Sequence, residues 1–145
     1  MTVPAPPVAR QAGCIAIDGR GVLIEGAPGT GKSSLALALI DRGAELIGDD
    51  SVMLAAENGR LIASPHPNTH GLIEVRNLGL LPFPCRENAP VALIVTLDPG
   101  APRYIEKPEQ AVLTGIAVPM VRLWPQECPP ALKVELALDH YGLQF

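Results

Sequence analysis

Apolar residues fall along the chain in short runs broken by Gly, Pro, Asn and Asp, a pattern of strands joined by tight turns. Cys14-Ile15-Ala16-Ile17 and Val22-Leu23-Ile24-Glu25 predict a hairpin turned at Asp18-Gly19-Arg20-Gly21. Ser34–Ile40 is rich in helix formers and is followed by Arg42-Gly43, a basic residue and a helix-stopping glycine, so it predicts a helix. Ala44–Gly48 predicts a short strand that runs into Asp49-Asp50. Ser51–Ala55 and Leu61–Ser64 flank Asn58-Gly59, a strong hairpin signal. Ser64–Gly71 reads as a loop, because Pro65 and Pro67 preclude a helix; His66 and His70 are then surface histidines rather than a metal pair. Leu72–Gly79 predicts a strand with Glu74 and Arg76 on one face. Pro82–Pro90 predicts a loop, open to motion, and Val91–Asp98 the most hydrophobic strand, at mid-sheet.

The C-terminal third is less regular. Pro108–Leu113 predicts a short element and Ile116–Leu123 a strand interrupted at Pro119. Trp124 reads as a packing residue rather than a base-binding one. Over Gln126–Tyr141, Leu132, Val134, Leu136 and Leu138 alternate as in a strand. Their Ala, Leu, Lys and Glu neighbours, and a start at Pro129-Pro130, favour the helix adopted here. The pattern describes one α/β domain over residues 1–145, with 1–7 a mobile start.

Composition narrows the possibilities. With 48% apolar but only 3% aromatic residues, the core must be aliphatic. A formal charge of −4 leaves no basic surface for nucleic acid or an anionic membrane. No apolar run is long enough for a membrane span, and Met1–Arg10 lacks the apolar centre of a secretory signal. Three cysteines (Cys14, Cys85, Cys128) without paired spacing point to a reducing compartment, hence the cytoplasm, and away from a disulfide frame or zinc site.

The chemistry is concentrated in Gly26-Ala27-Pro28-Gly29-Thr30-Gly31-Lys32-Ser33, which fits the G-x-x-x-x-G-K-[ST] phosphate loop and lies between a predicted strand and a predicted helix. Small residues let backbone N–H groups close around a triphosphate, and the helix, opening at Ser34, adds its positive end. Lys32 is expected on the β- and γ-phosphates and Ser33 on Mg²⁺. Asp49-Asp50, at a strand end soon afterwards, suits binding of the ion's waters or uptake of a proton from an attacking hydroxyl. Asp98 competes for a metal-bracing role, although Pro99-Gly100 makes turn capping the simpler reading. From pattern alone, Glu74 and Arg76 are a solvated strand face.

With these motifs in order, residues from about Val8 to Val121 resemble HPr kinase/phosphorylase, in particular the short α-proteobacterial form that consists of the C-terminal catalytic domain. The resemblance rests on the phosphate loop, on Asp49-Asp50, and on Glu74-Val75-Arg76-Asn77-Leu78-Gly79 against the family's E-[IV]-R-G-L-G. It implies a mixed sheet around the phosphate-loop helix, akin to the nucleotide domain of phosphoenolpyruvate carboxykinase. It also implies ATP and Mg²⁺ as reactants, the carrier protein HPr as seryl acceptor, reversal by inorganic phosphate, and a hexameric homo-oligomer. Residue by residue, it makes Asp49 the acid/base, places Ser33, Asp50 and Glu74 near Mg²⁺, and places Arg76 on the phosphate side. The chain departs from the family at Gln11, which aligns with a histidine, at Pro28 for serine, at Ser34 for an acidic residue, and at Asn77 for glycine. A nucleotide-binding regulatory or sensor protein is one alternative. A small-molecule kinase or other phosphate-loop NTPase is another, with Asp49-Asp50 and the Glu-Val-Arg stretch against it.

Overall fold

Strand β9 (Ala89–Leu97) is apolar toward both faces, as a strand covered on both sides must be. The computed structural model of the chain describes residues 6–126 and 128–145, so residues 1–5 of the expected mobile start lie outside the described residues. Strand β3 (Arg20–Gly26) runs parallel to β9 along one edge, from Gly21 opposite Val91 to Gly26 opposite Leu97. The other edge is shared. Strand β6 (Arg60–Pro65) pairs antiparallel at Ala89 and Pro90, and β11 (Ile116–Leu123) pairs parallel over Ile94–Leu97. Beyond β3 lie β2 (Gly13–Ile17) and β4 (Glu45–Gly48); beyond β6 lie β5 (Val52–Glu57) and β1 (Val8–Arg10). Strand β10 (Glu109–Leu113) closes the far side of β11. This is the mixed sheet that was expected.

Helices α1 (Lys32–Asp41) and α2 (Ala131–Tyr141) cover one face. Leu35, Leu39, Val134 and Leu138 there meet Val22, Ile24, Leu93 and Val95. The opposite face packs Cys14, Leu23 and Ile94 against Leu54 and Leu61 of β5 and β6. One extra residue, Ala92, stands between Val91 and Leu93 where β3 has consecutive Gly21 and Val22. This bulge exchanges the faces, so Val91 serves one core and Leu93 the other.

The β2–β3 and β5–β6 hairpins turn where expected, at Asp18-Gly19 and Asn58-Gly59, with positive φ at both central residues. A third turn of that kind, Thr114-Gly115, joins β10 to β11. The helix at α2 is as predicted. Pro119 does not interrupt β11; its missing N–H falls one residue before pairing with β9 begins at Met120.

A further expectation changes. Leu72–Gly79 is not one strand but a separate hairpin, β7 (Leu72–Val75) and β8 (Gly79–Pro82). Leu78 N donates to Val75 O at 3.0 Å and Asn77 takes φ 72°, so Arg76 sits in the turn and shares no strand face with Glu74. A left-handed residue at the tip also explains why glycine suits position 77, with asparagine the next best. The 83–88 segment is tied to the outer edge of β4: Cys85 bridges Leu46, Arg86 N donates to Leu46 O at 2.7 Å, and Arg86 pairs with Glu45 at 3.1 Å. It covers an edge that would otherwise present unpaired backbone groups.

Candidate active site

At the end of β3 the phosphate loop folds onto itself. A Cβ at Gly26 would stand 2.7 Å from Thr30 Oγ1 and 3.0 Å from Leu97 O, so no larger residue fits. Thr30 Oγ1 donates to Ala27 O at 2.7 Å and fixes the loop's width. Gly31, at φ 99°, precedes α1 without a side-chain cap, which leaves the first N–H groups of the helix for an anion. Lys32 reaches back along the loop, and its Nζ donates to Gly26 O at 2.8 Å and Ala27 O at 3.3 Å.

Strand β4 delivers the two aspartates into a tight turn. Ser51 N donates to Asp49 O at 2.8 Å, and Asp50 between them takes φ 65°. Such a conformation is costly for a side-chain-bearing residue and is typical of functional sites. It sends the neighbouring carboxylates apart. Asp50 is exposed, whereas Asp49, at 7% exposure, is the one buried charged residue among the described residues. Asp49 Oδ1 accepts from Ser33 Oγ at 2.7 Å, and Oδ2 accepts from the Glu74 backbone N–H at 3.1 Å. One carboxylate thus joins the phosphate loop, the end of β4 and β7.

These groups surround a cleft of about 360 Å³. From the loop, Pro28, Gly29, Gly31, Lys32, Ser33 and Ser34 line it; Asp49, Asp50, Glu74 and Arg76 complete it. Gly26, Ala27 and Thr30 form the frame of the loop and do not line the cleft. Gln11, exposed between β1 and β2, lines it too; only the resemblance had drawn attention to that position. The Arg10–Glu25 pair gave no signal in the sequence. Arg10 donates to both Glu25 oxygens, with Nη2 to Oε1 at 3.1 Å, and this pairing raises the Arg10 guanidinium pKa further. The pair ties the residue before Gln11 to the residue before Gly26.

Asp98 takes the simpler of its two readings. It accepts from Gly100 N at 2.8 Å, pairs with Arg122 at 3.2 Å, and does not line the cleft. His66 and His70 engage separate partners, the Asn68 N–H and Glu87. Among the described residues, no three His, Cys, Asp or Glu side chains are grouped to hold a metal by themselves. The donor set nevertheless suits Mg²⁺, which uses one or two protein oxygens, waters and substrate phosphates. Ser33 donates its proton to Asp49, so its lone pairs remain for a cation, with Asp50 and Glu74 nearby in the same cleft.

A phosphate loop set in a mixed sheet, with a buried carboxylate beside its serine, is an arrangement suited to phosphoryl transfer. The family described as HPr Serine kinase C-terminal domain matches residues 5–86, and the chain belongs to it. It is 41% identical over 80 residues to HPr kinase/phosphorylase of Clostridium tetani (strain Massachusetts / E88), covering 55% of this chain and 26% of that one. It is 34% identical over 102 residues to the HPr kinase/phosphorylase of Exiguobacterium sp. (strain ATCC BAA-1283 / AT1b), covering 65% and 33%. The alignments therefore span only a quarter to a third of these relatives. The solved Hpr(Ser) kinase/phosphatase from Coxiella burnetii superposes with a TM-score of 0.81 at 29% identity, covering 91% of this chain and 88% of that one. No helix among the described residues is long and apolar enough to cross a membrane.

Proposed function

We propose that the chain acts as a single ATP- and Mg²⁺-dependent kinase domain over 1–145, of the short α-proteobacterial kind, that phosphorylates a serine of the carrier protein HPr in the cytoplasm. The observation that carries this reading is Asp49, held by Ser33 Oγ at 2.7 Å and the Glu74 N–H at 3.1 Å beside the cleft that Lys32 and Arg76 share. The acceptor itself comes from the names of the relatives.

In the kinase direction the seryl oxygen attacks the γ-phosphorus in line, the bond to the β–γ bridging oxygen breaks, and Asp49 takes the seryl proton. Lys32 exchanges the Gly26 and Ala27 carbonyls for β- and γ-phosphate oxygens, while the α1 N–H groups cradle the chain of phosphates. Arg76 supports the transferring group from the hairpin turn. Ser33 would hold Mg²⁺, with Asp50 and Glu74 on its waters, and the ion would offset triphosphate charge. In reverse, an oxygen of inorganic phosphate attacks the phosphorus of phosphoserine, the bond from phosphorus to the seryl oxygen breaks, protonated Asp49 gives that oxygen its proton, and the pyrophosphate formed is released. Gln11 has no ionisable group, so proton handling rests on Asp49. Assembly as a homo-oligomer, a hexamer by family resemblance, belongs to this proposal.

The test is to incubate the chain with HPr from its own organism, Mg²⁺ and ATP, and to map phosphoserine by mass spectrometry. Phosphoserine lost in Lys32→Ala and Asp49→Ala supports the kinase. Mg-ATP binding without phosphoserine refutes it and favours the nucleotide-binding regulatory reading. Pro28 gives that second reading a specific basis, because it lines the cleft without an N–H to donate.

A further inference from the structure

We infer that the groove between α2 and β11 receives the base and ribose of the nucleoside triphosphate whose phosphates occupy the Gly26–Ser33 loop; this rests on the loop binding a nucleotide. The groove encloses about 290 Å³, with Val121, Leu136 and Ala137 among its apolar lining. Its position follows from the sheet. Gly26, Leu97 and Leu123 are direct partners in one row across β3, β9 and β11, which all run parallel. Trp124 therefore leaves the sheet two strand spacings from Ala27, roughly 10 Å, on the same carboxyl edge. In open α/β sheets, ligands lie along that edge. A nucleotide with its triphosphate in the loop can span that separation.

The lining fits a flat, electron-rich ring. Tyr104, Trp124 and Tyr141 stand here, three of the chain's five Phe, Trp and Tyr residues. Tyr104 is 77% exposed and Trp124 43%, so the packing role expected of Trp124 is incomplete. Trp124 Nε1 donates to Ala101 O at 2.6 Å, which orients the indole, and Lys133 Nζ lies 6.0 Å from its centroid. Among the described residues no carboxylate lines the groove, in contrast to the three in the phosphate cleft. Arg122 is engaged by Glu109 and Asp98, which leaves Arg103 and Lys133 as the cations that face a ligand. Aromatic faces with flanking cations are a recurrent platform for bases.

Trp124 is the chain's only tryptophan, so its emission reports on the groove alone. The full chain is titrated with Mg-ATP and with Mg-tripolyphosphate, using calorimetry for affinity and Trp124 fluorescence for the groove. Expected is a change in emission with Mg-ATP but not with Mg-tripolyphosphate, and a Tyr104→Ala variant in which the preference for ATP over tripolyphosphate falls about tenfold, as loss of one stacking partner predicts. Equal affinity for the two, with emission unmoved, overturns the groove assignment and leaves the loop intact. Emission that follows protein concentration rather than ATP also overturns it, because a second copy then covers the groove. Binding of neither probe overturns the loop reading, and the groove assignment with it.

Discussion

Replacing Asp49 separates what its shape does from what its charge does. The carboxylate accepts two hydrogen bonds, from Ser33 Oγ at 2.7 Å and the Glu74 N–H at 3.1 Å. In Asp49→Asn the amide oxygen faces the Glu74 N–H, which can only donate. The amide NH₂ then faces Ser33, whose hydroxyl rotates to accept. Both contacts survive as neutral bonds in place of charge-assisted ones, a loss of about 1 kcal/mol or less. For a domain of this size that lowers Tm by no more than about 3 °C. Asp49→Ala removes both acceptors. The Glu74 N–H is then unpaired at the cleft wall, where entering water limits the penalty to about 1–2 kcal/mol, or about 3–6 °C. Phosphoryl transfer falls about 10²- to 10⁴-fold in both variants, the usual worth of a positioned base. Melting followed by circular dichroism, with phosphoserine formation on the same preparations, measures the split. Wild-type transfer by Asp49→Asn would remove the base role, and an Asp49→Ala Tm equal to wild type would show that the two hydrogen bonds do not support the fold.

Three further outcomes follow from local geometry. In Gly48→Ala the new Cβ meets Val52 Cγ1 at 2.5 Å and Ser51 O at 2.7 Å, so stability should drop by about 2–3 kcal/mol in urea unfolding; an unchanged midpoint would contradict the crowding. At Asn77, φ 72° makes Gly nearly neutral and Ala about 1 kcal/mol worse, and thermal melts of the pair rank them; equal melts would remove the left-handed tip. Burial pushes the Cys14 thiol from 9.0 to about 12, so above pH 9 the unfolded chain releases a proton that the folded chain keeps. Stability should then decline with rising pH by up to about 1.4 kcal/mol per unit until that folded value is reached, and Cys14→Ala should remove this slope in urea titrations.

Much of the site was legible because its chemistry is local. The phosphate loop carries its own string, and Asp49-Asp50 follows a readable strand. What sequence could not separate were the two aspartates' fates, because a left-handed turn at Asp50 sends one carboxylate inward and leaves the other in water. The Leu72–Gly79 stretch misled for a related reason. Strand-like alternation continues through Arg76, and only the positive φ of Asn77 reveals a hairpin tip. The Arg10–Glu25 pair depends on β1 and β3 meeting in space, which no spacing encodes. At α2, helix propensity prevailed over alternating leucines because one helical face, including Val134 and Leu138, packs against the sheet while Leu132 and Leu136 remain exposed.

The parallel pairing of β3 with β9 has a consequence for biosynthesis. Gly21 meets Val91 and Gly26 meets Leu97, so the strand that carries the phosphate loop finds its central neighbour about seventy positions downstream. At about 5–20 residues per second, a ribosome needs several seconds to make that stretch. During that interval the loop is made but its floor is not. The apolar edge of β3 is open to mispairing until β9 emerges, and loop closure over so long a stretch makes folding slow. Nucleotide affinity should therefore arise late on the nascent chain, after Leu97 has cleared the exit tunnel.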